Sequence, residues 1–396
     1  MDEGVEDDWW IDKNKKGIYF VTSFNSLFLY FYPLSFILYP DFMRVLIVKM
    51  SALGDIIHAL PLLSYLHQVS PGIQVEWVVE EPFRELLEGN RLVSVLHSVR
   101  TKVWRKNPLA SATRKELAEV KSALRARKYD FVFDVQGNLK SGLIDKLTQC
   151  SNIIGFSSDL LQEKVNLLFT TRQIPSRRQD YHVTDQCLRV VSVPYGKDFR
   201  GMTLTTDIRT SVEDDAVAEV LLATLSDGLV FLCHCGTTWE TKFWYDEGWV
   251  SLGKSLLSLH PDATLLFSWG NESEREKVNG FAAAIGRGAR VLDRYPLKGF
   301  TALLKKVDLV IGGDTGPVHV AAAVGTPTVS LYRASDGKRS GPRGEHHVIV
   351  QAPLPCTACF RTHCDKDADC RRSITVEMVL TAVRKIYGVN TTPDRY

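Results

Sequence analysis

From residue 43 onward the chain alternates short apolar runs with amphipathic stretches, and it does so in two successive series. Few architectures accept that pattern. A strand with helices before and after it is covered on both faces and joins a parallel sheet. The run YDFVFDV at 129–135 is almost continuously apolar, as such a strand requires. The first series places strands at 44–50, 73–79, 92–99, 129–135 and 152–156, with helices at 55–69, 82–87, 113–128 and 139–147. Within 113–128, Leu117, Val120 and Leu124 share one helical face. The second series places strands at 229–233, 263–268, 290–292, 309–311 and 328–331. Its helices fall at 248–259, 274–285, 299–306 and 316–324, with a last one at 375–387. The polar stretch 205–215 is the candidate linker. The fold class is α/β: two Rossmann-like, doubly wound domains facing across a cleft, for which 396 residues suffice.

Apolar and charged fractions of 45% and 24% are those of a soluble globular chain. A net charge of +2 argues against wholesale nucleic-acid binding, so no nucleic-acid partner is expected. Cys356, Cys359, Cys364 and Cys370 crowd near the C-terminus. Their C-x2-C-x4-C-x5-C spacing leaves a structural zinc, a disulfide and free thiols all open, with reduced thiols the default in a cytosolic α/β chain. Residues 1–42 do not fit the rest. The uncharged run 17–39 is long enough to span a bilayer and follows Lys13, Lys15 and Lys16, but Ser, Asn, Thr and Pro interrupt it. A membrane anchor, an interfacial or packed extension, and a dispensable extension before a working start at Met43 all remain open.

Four turns carry candidate chemistry. In VLIVKMSALGDIIHALPLL, residues 45–63, a strand meets a small-residue turn with neither G-x-G-x-x-G nor a P-loop, and Asp55 stands where the helix opens. Asp55 is an N-cap, a general base at the C-terminal edge of the first strand, or both. In VIGGDTGPVHVAAAVGTPTVSLY, residues 310–332, Gly312, Gly313 and Asp314 end a strand, and Thr315, Gly316 and Pro317 open a small-residue helix. Free amides at such a helix start form an anion site, with His319 in the first turn. CHCGTTWETKFW, residues 233–244, offers Thr237, Thr238 and the cation Lys242. In FSWGNESERE, residues 267–276, Glu274 either binds a ribose diol or favours the helix N-terminus.

Six blocks in order, MRVLIVKMSALGDIIHALPLL, PGIQVEWVVEE, YDFVFDVQGNLKSG, TTWETKFW, SWGNESERE and GGDTGPVHVAAAVGTPTVSLY, resemble the lipopolysaccharide heptosyltransferases of glycosyltransferase family 9. The match runs from about residue 43 to beyond 332. The first block is most similar to members that add the first heptose, whereas the C-terminal cysteines look more like those of members that add the second. Residues 1–42 have no counterpart.

The resemblance implies a GT-B fold with an acceptor-binding domain at 43–204, a linker region at 205–227 and an ADP-heptose-binding domain at 228–396. It implies a cytoplasmic enzyme, peripheral at the inner membrane, that moves heptose with inversion from ADP-heptose to the Kdo region of Kdo-lipid A. Asp55 matches the family's base, and Lys49, Thr237, Thr238, Lys242, Glu274, Asp314, Thr315, Gly316 and His319 would surround the donor, Lys242 with a catalytic share. Arg105, Lys106, Gln136 and Lys140 are assigned to the acceptor. Arg100, Lys102, Arg114 and Lys115 join Arg105 and Lys106 in a basic group that is either a solvated face or a patch for an anionic acceptor. No metal site and no cofactor are expected, since no D-x-D motif is evident near these turns. Another nucleotide sugar, or a catalytically dead scaffold of the same fold, remains the alternative.

Overall fold

The computed structural model describes residues 43–387. The extension 1–42, with its three readings, and the last residues of the second domain lie outside them.

The first sheet contains β1 (Arg44–Val48), β2 (Gln74–Glu80), β3 (Val95–Val99), β4 (Phe131–Asp134), β5 (Ile153–Phe156) and β6 (Arg172–Ile174). Between and after these strands lie α1 (Leu53–Ala59), α2 (Pro61–Val69), α3 (Thr101–Lys106), α4 (Ser111–Arg125), α5 (Leu139–Thr148) and α6 (Val183–Ser192). The second half opens with α7 (Val212–Leu222), then β7 (Val230–His234), α8 (Asp246–Leu259), β8 (Thr264–Ser268), α9 (Glu272–Ile285) and β9 (Ala289–Val291). It continues with α10 (Leu297–Leu304), β10 (Leu309–Gly313), α11 (Gly316–Ala323), β11 (Thr328–Tyr332), α12 (Gly337–Ser340) and β12 (His347–Gln351). Helices α13 (Asp367–Ser373) and α14 (Val376–Tyr387) complete the described chain.

Every strand pairing is parallel, and the sheets run β3-β2-β1-β4-β5-β6 and β12-β11-β10-β7-β8-β9. Counted within each half, both follow the 3-2-1-4-5-6 order of doubly wound nucleotide-binding folds. The order reverses between β1 and β4 and again between β7 and β10, so each half has one crevice at the C-terminal ends of those strands. Val45 to Val48 are wholly buried, which is why β1 reads as a continuous apolar run. One apolar core extends from the first half through Ile56 and Ile57 of α1 into Val318, Val320 and Ala321 of α11.

The structure corrects several sequence expectations. The helix expected at 55–69 starts at Leu53 and is two helices, because Pro61 has no amide to continue the ladder. Asp55 is therefore not the N-cap, which is Ala52. Strands β6 and β12 and helices α3, α6, α7, α12 and α13 were not expected. Helix α7 lies inside the linker region and opens on a reciprocal cap: Ser211 Oγ accepts from the Asp214 amide at 3.2 Å, and Asp214 Oδ2 from the Ser211 amide at 2.9 Å.

A buried acid pair anchors the end of β4. Asp134 accepts from the amides of Gln136 and Gly137 at 3.0 and 2.9 Å, and from Ser141 Oγ and Asn166 Nδ2 at 2.7 and 2.6 Å. Asp145 is also wholly buried; burial, then the Asp134 charge beside it, pushes its carboxyl well above the usual range. Asp145 is thus neutral in the fold, whereas an unfolded Asp ionises near pH 4. That contribution to stability is complete below about pH 4 and is lost as pH rises towards the raised folded value. The melting temperature of Asp145→Asn, relative to the parent, is expected to climb as pH rises above about 4. A pH-independent difference would show Asp145 to be ionised in the fold.

Candidate functional site

The two crevices meet where α1 crosses α11. A Cβ on Gly54 would stand 2.8 Å from His319 Cδ2, and one on Gly316 would stand 2.5 Å from Leu53 Cδ2. Each helix therefore presents a glycine to a side chain of the other. The crossing brings the turn after β1, with Asp55, alongside the turn after β10, with Asp314, Thr315 and Gly316.

On the first side Asp55 is exposed, and its Oδ2 accepts from the Ala52 amide at 3.0 Å. Oδ1 makes no hydrogen bond among the described residues. Gln136 supports this turn from the loop after β4: its Oε1 accepts from the amides of Met50 and Ser51 at 2.9 and 3.1 Å. The Gln136 carbonyl is thus committed to holding the turn, and only its amide nitrogen is left for a ligand. Lys49 is buried and donates to the Val135 carbonyl at 2.9 Å, so its ammonium ties β1 to the β4 loop. Lys140 is half-buried in the first turn of α5. Arg105 and Lys106 are exposed at the end of α3 without a partner among the described residues. Of the wider basic group, Arg100 is paired with Glu116 and Lys115 lies 3.9 Å from Glu119.

On the second side Asp314 joins two groups. Its Oδ2 accepts from Lys242 Nζ at 2.6 Å and its Oδ1 from His319 Nε2 at 3.1 Å. Burial pushes the Asp314 carboxyl up, but the His319 hydrogen bond and the Lys242 charge outweigh it and hold it well below the usual range. Asp314 is therefore a fixed anion that orients Lys242, whose ammonium also lies 4.6 Å over the Trp239 ring. No side chain caps α11, and Thr315 occupies the N-cap position. Among the described residues the amides of Gly316 and Val318 have no acceptor, at the positive end of the helix. The hydroxyls of Thr237 and Thr238, in the loop after β7, make no hydrogen bond among the described residues. Glu274 packs over Gly236 and accepts from the Gly270 amide at 2.7 Å and from Asn271 Nδ2 at 3.0 Å. Its helix-start role is thus filled, at a position that joins the loops after β7 and β8.

Behind the crossing lie two histidines that the motifs did not single out. His58, one turn beyond Asp55, packs edge-on to His319 and His182 with ring centroids 4.7 and 5.3 Å away. Burial, then the neighbouring His319 and His182, holds His58 well below its usual pKa. Burial, then Arg343, brings His182 down to about 4. His58 and His182 are therefore neutral at physiological pH and pack behind the crossing. A spacing of three residues from Asp55 was the one available signal for His58.

All eight cysteines are free thiols, with Cys356 and Cys359 exposed. Among the described residues no cluster of His, Cys, Asp or Glu has a metal-holding arrangement, and no helix is long and apolar enough to cross a membrane.

The family model for "Glycosyltransferase family 9 (heptosyltransferase)" matches residues 117–368. The chain is similar to lipopolysaccharide heptosyltransferase 1 of Pseudomonas aeruginosa, 31% identical over 81% of this chain and 87% of that protein. Among solved structures it is similar to E. coli heptosyltransferase WaaC with ADP, at a TM-score of 0.70 and 26% identity, covering 87% of this chain and 100% of the other. It is also similar to WaaC with ADP-2-deoxy-2-fluoro heptose, at a TM-score of 0.64 and 27% identity, covering 80% and 97%. These neighbours have the GT-B architecture that the two sheets lay out.

Gly316→Ala forces Leu53 aside at the crossing. Overpacking of this kind costs about 1–3 kcal/mol and is expected to lower the melting temperature by a few degrees. Gly280→Ala, in the interior of α9 with open space around it, is the control and is expected to be neutral or slightly stabilising. Equal melting temperatures for the two variants would show that the close approach of α1 and α11 does not hold the halves.

Proposed function

We propose, from the premise that this chain belongs to glycosyltransferase family 9, that it transfers L-glycero-D-manno-heptose from ADP-heptose to the Kdo region of inner-core lipopolysaccharide. The observation that carries the reading lies at the crossing: the turn with the open Asp55 carboxylate packs alongside the uncapped start of α11, behind which Asp314 holds Lys242. The names of the relatives supply the sugar and nucleotide, and the Pseudomonas relative favours the first-heptose step.

In this mechanism Asp55 takes the proton of the acceptor hydroxyl as that oxygen attacks the anomeric carbon. The bond from that carbon to the diphosphate oxygen breaks, ADP leaves with the electron pair, and the configuration inverts. General-base assistance is worth about 10²–10⁴-fold. Charge that grows on the departing diphosphate is met by Lys242 and the first amides of α11, and fixed donors of this type contribute about 3 kcal/mol each. Asp314 positions Lys242, Thr237 and Thr238 offer hydroxyls to the same group, and Glu274 stands where the nucleoside ribose would lie. His319 holds Asp314, and Lys49 braces the Asp55 turn. Arg105, Lys106, Lys140 and the Gln136 amide are the acceptor-side groups, suited to Kdo carboxylates and lipid A phosphates at the cytoplasmic face of the inner membrane. With a lysine and helix amides aimed at the diphosphate, the reaction needs no divalent cation.

The second-heptose step is the competing reading, favoured by the cysteine pattern. Mass spectrometry of the product from defined Kdo-lipid A and ADP-heptose, beside a panel of GDP- and UDP-sugars, separates them. Asp55→Ala is expected to lower kcat at least about 10²-fold with little change in donor affinity, because a base acts in the transition state. Lys242→Ala and Asp314→Ala are expected to raise the KM for ADP-heptose and weaken ADP binding by calorimetry. Unchanged turnover in folded Asp55→Ala would reduce Asp55 to a helix-start residue. Chelation with EDTA is expected to leave the rate unaltered, and a loss restored by magnesium would refute the cation-independent mechanism.

A further inference from the structure

A second cavity, of about 470 Å³, lies on the first half beside β6 and the C-terminal end of α6. Arg172, Arg177, Arg189, Lys197 and Arg200 line it, with Asp198 as its one acidic residue. Arg200 is taken: it pairs with Asp198 at 3.0 Å and with the buried Asp180. The other four cations have no hydrogen bond or ion pair among the described residues. Arg189 is half-buried, and its Nε is sequestered from solvent with no hydrogen-bond partner.

A surface that only needs solubility intersperses acids among its bases. Here the single acid is already neutralised, and the remaining positive charges converge on one concavity. Burial, then repulsion from Arg177 on the rim, lowers the Arg189 pKa, with Arg172 adding to the effect and Asp198 opposing it. A buried guanidinium donor without an acceptor is costly, and an anion in the cavity meets that need and relieves the repulsion together. Guanidinium forks match phosphate oxygens. The volume falls within the range of small-molecule sites and exceeds what a lone phosphate fills.

We propose that this cavity is a binding site for a phosphate-bearing ligand, held by Arg189 at its wall and by Arg172, Arg177 and Lys197 at its rim. None of these residues was singled out by the motifs, and none belongs to the cleft where α1 meets α11. The inference does not rest on the proposed transfer reaction.

Pyrophosphate is the soluble probe, titrated by calorimetry into Lys242→Ala so that the cleft does not compete. Saturable binding is expected, weakened at least about tenfold when Arg177→Glu or Arg189→Gln is added. Arg177 is exposed, so its replacement leaves the fold intact and keeps the test valid should Arg189→Gln be unstable. Flotation with vesicles of phosphatidylcholine and phosphatidylglycerol, against phosphatidylcholine alone, identifies the source of the phosphate. Anionic-vesicle binding that Arg177→Glu weakens assigns the site to lipid headgroups, whereas pyrophosphate binding without such an effect on vesicles assigns it to free phosphate compounds. If Arg177→Glu changes neither pyrophosphate nor vesicle binding, or if neither probe binds, the proposal is wrong.

Discussion

Two glycines at the crossing of α1 and α11 determine what the rest of the molecule can do. Each half alone has a crevice lined by one kind of chemistry. Only because Gly54 admits the His319 ring and Gly316 admits Leu53 do the two turns lie side by side. The apolar core that continues from Ile56 and Ile57 into Val318 and Val320 is the energetic counterpart of that geometry. Polar links between the halves reinforce it. Arg343 makes a bidentate pair with Asp185 at 2.8 and 2.6 Å, His182 bonds the Gly341 carbonyl at 3.0 Å, and Thr206 bonds the Ala323 carbonyl at 2.7 Å.

The charges at the crossing are arranged by a different rule. The Asp314 side chain is only 10% exposed, enough that an unpaired carboxylate there would be strongly disfavoured, yet it is flanked by an ammonium and an imidazole N–H. That arrangement adds little net stability and fixes direction instead: Lys242 cannot wander while Asp314 holds it. Gln136 plays the corresponding part on the other side, clamping two consecutive amides so that the turn before Asp55 keeps one shape. Asp134 in turn fixes the backbone of Gln136. Lys242 and the turn before Asp55 are thus each held by a side chain that hydrogen bonds fix in turn.

Most strands and helices were legible because both-face burial leaves a continuous apolar signature, as in RVLIV of β1. What escaped had no such signature. Strand β6 is three residues, Arg172–Ile174, two of them exposed, and is defined by its pairing with β5. The start of α1 was misplaced because Asp55 has the chemistry of an N-cap, and only the backbone shows that Ala52 fills that position while Asp55 reaches back to it. Helix α7 carried a readable Ser211-x-x-Asp214 cap, but a polar face made the segment resemble a linker. At the site, Asp55, Lys242 and Asp314 stood out by residue type at strand ends. The role of Gln136 as a clamp, and the packing of His58 on His319, depend on contacts 86 residues apart in one case and across the two halves in the other. Sequence spacing does not encode contacts at that range.

The two halves share one strand order, so the division of labour between them lies in how each starts the helix after its switch point. After β1, a carboxylate occupies the third helical position and reaches back over the helix start. An anionic diphosphate is disfavoured there, and a hydroxyl that must lose a proton is favoured. After β10, the corresponding helix has no capping side chain, begins with glycine and proline, and holds its own acid behind the turn in a pair with Lys242. Negative charge is welcomed at that end. Exchanging the two starts, with the same sheets beneath them, would exchange the proposed acceptor and donor sides. In the proposed reaction the direction of transfer is therefore a property of two short turns, and the doubly wound scaffold serves to bring them together.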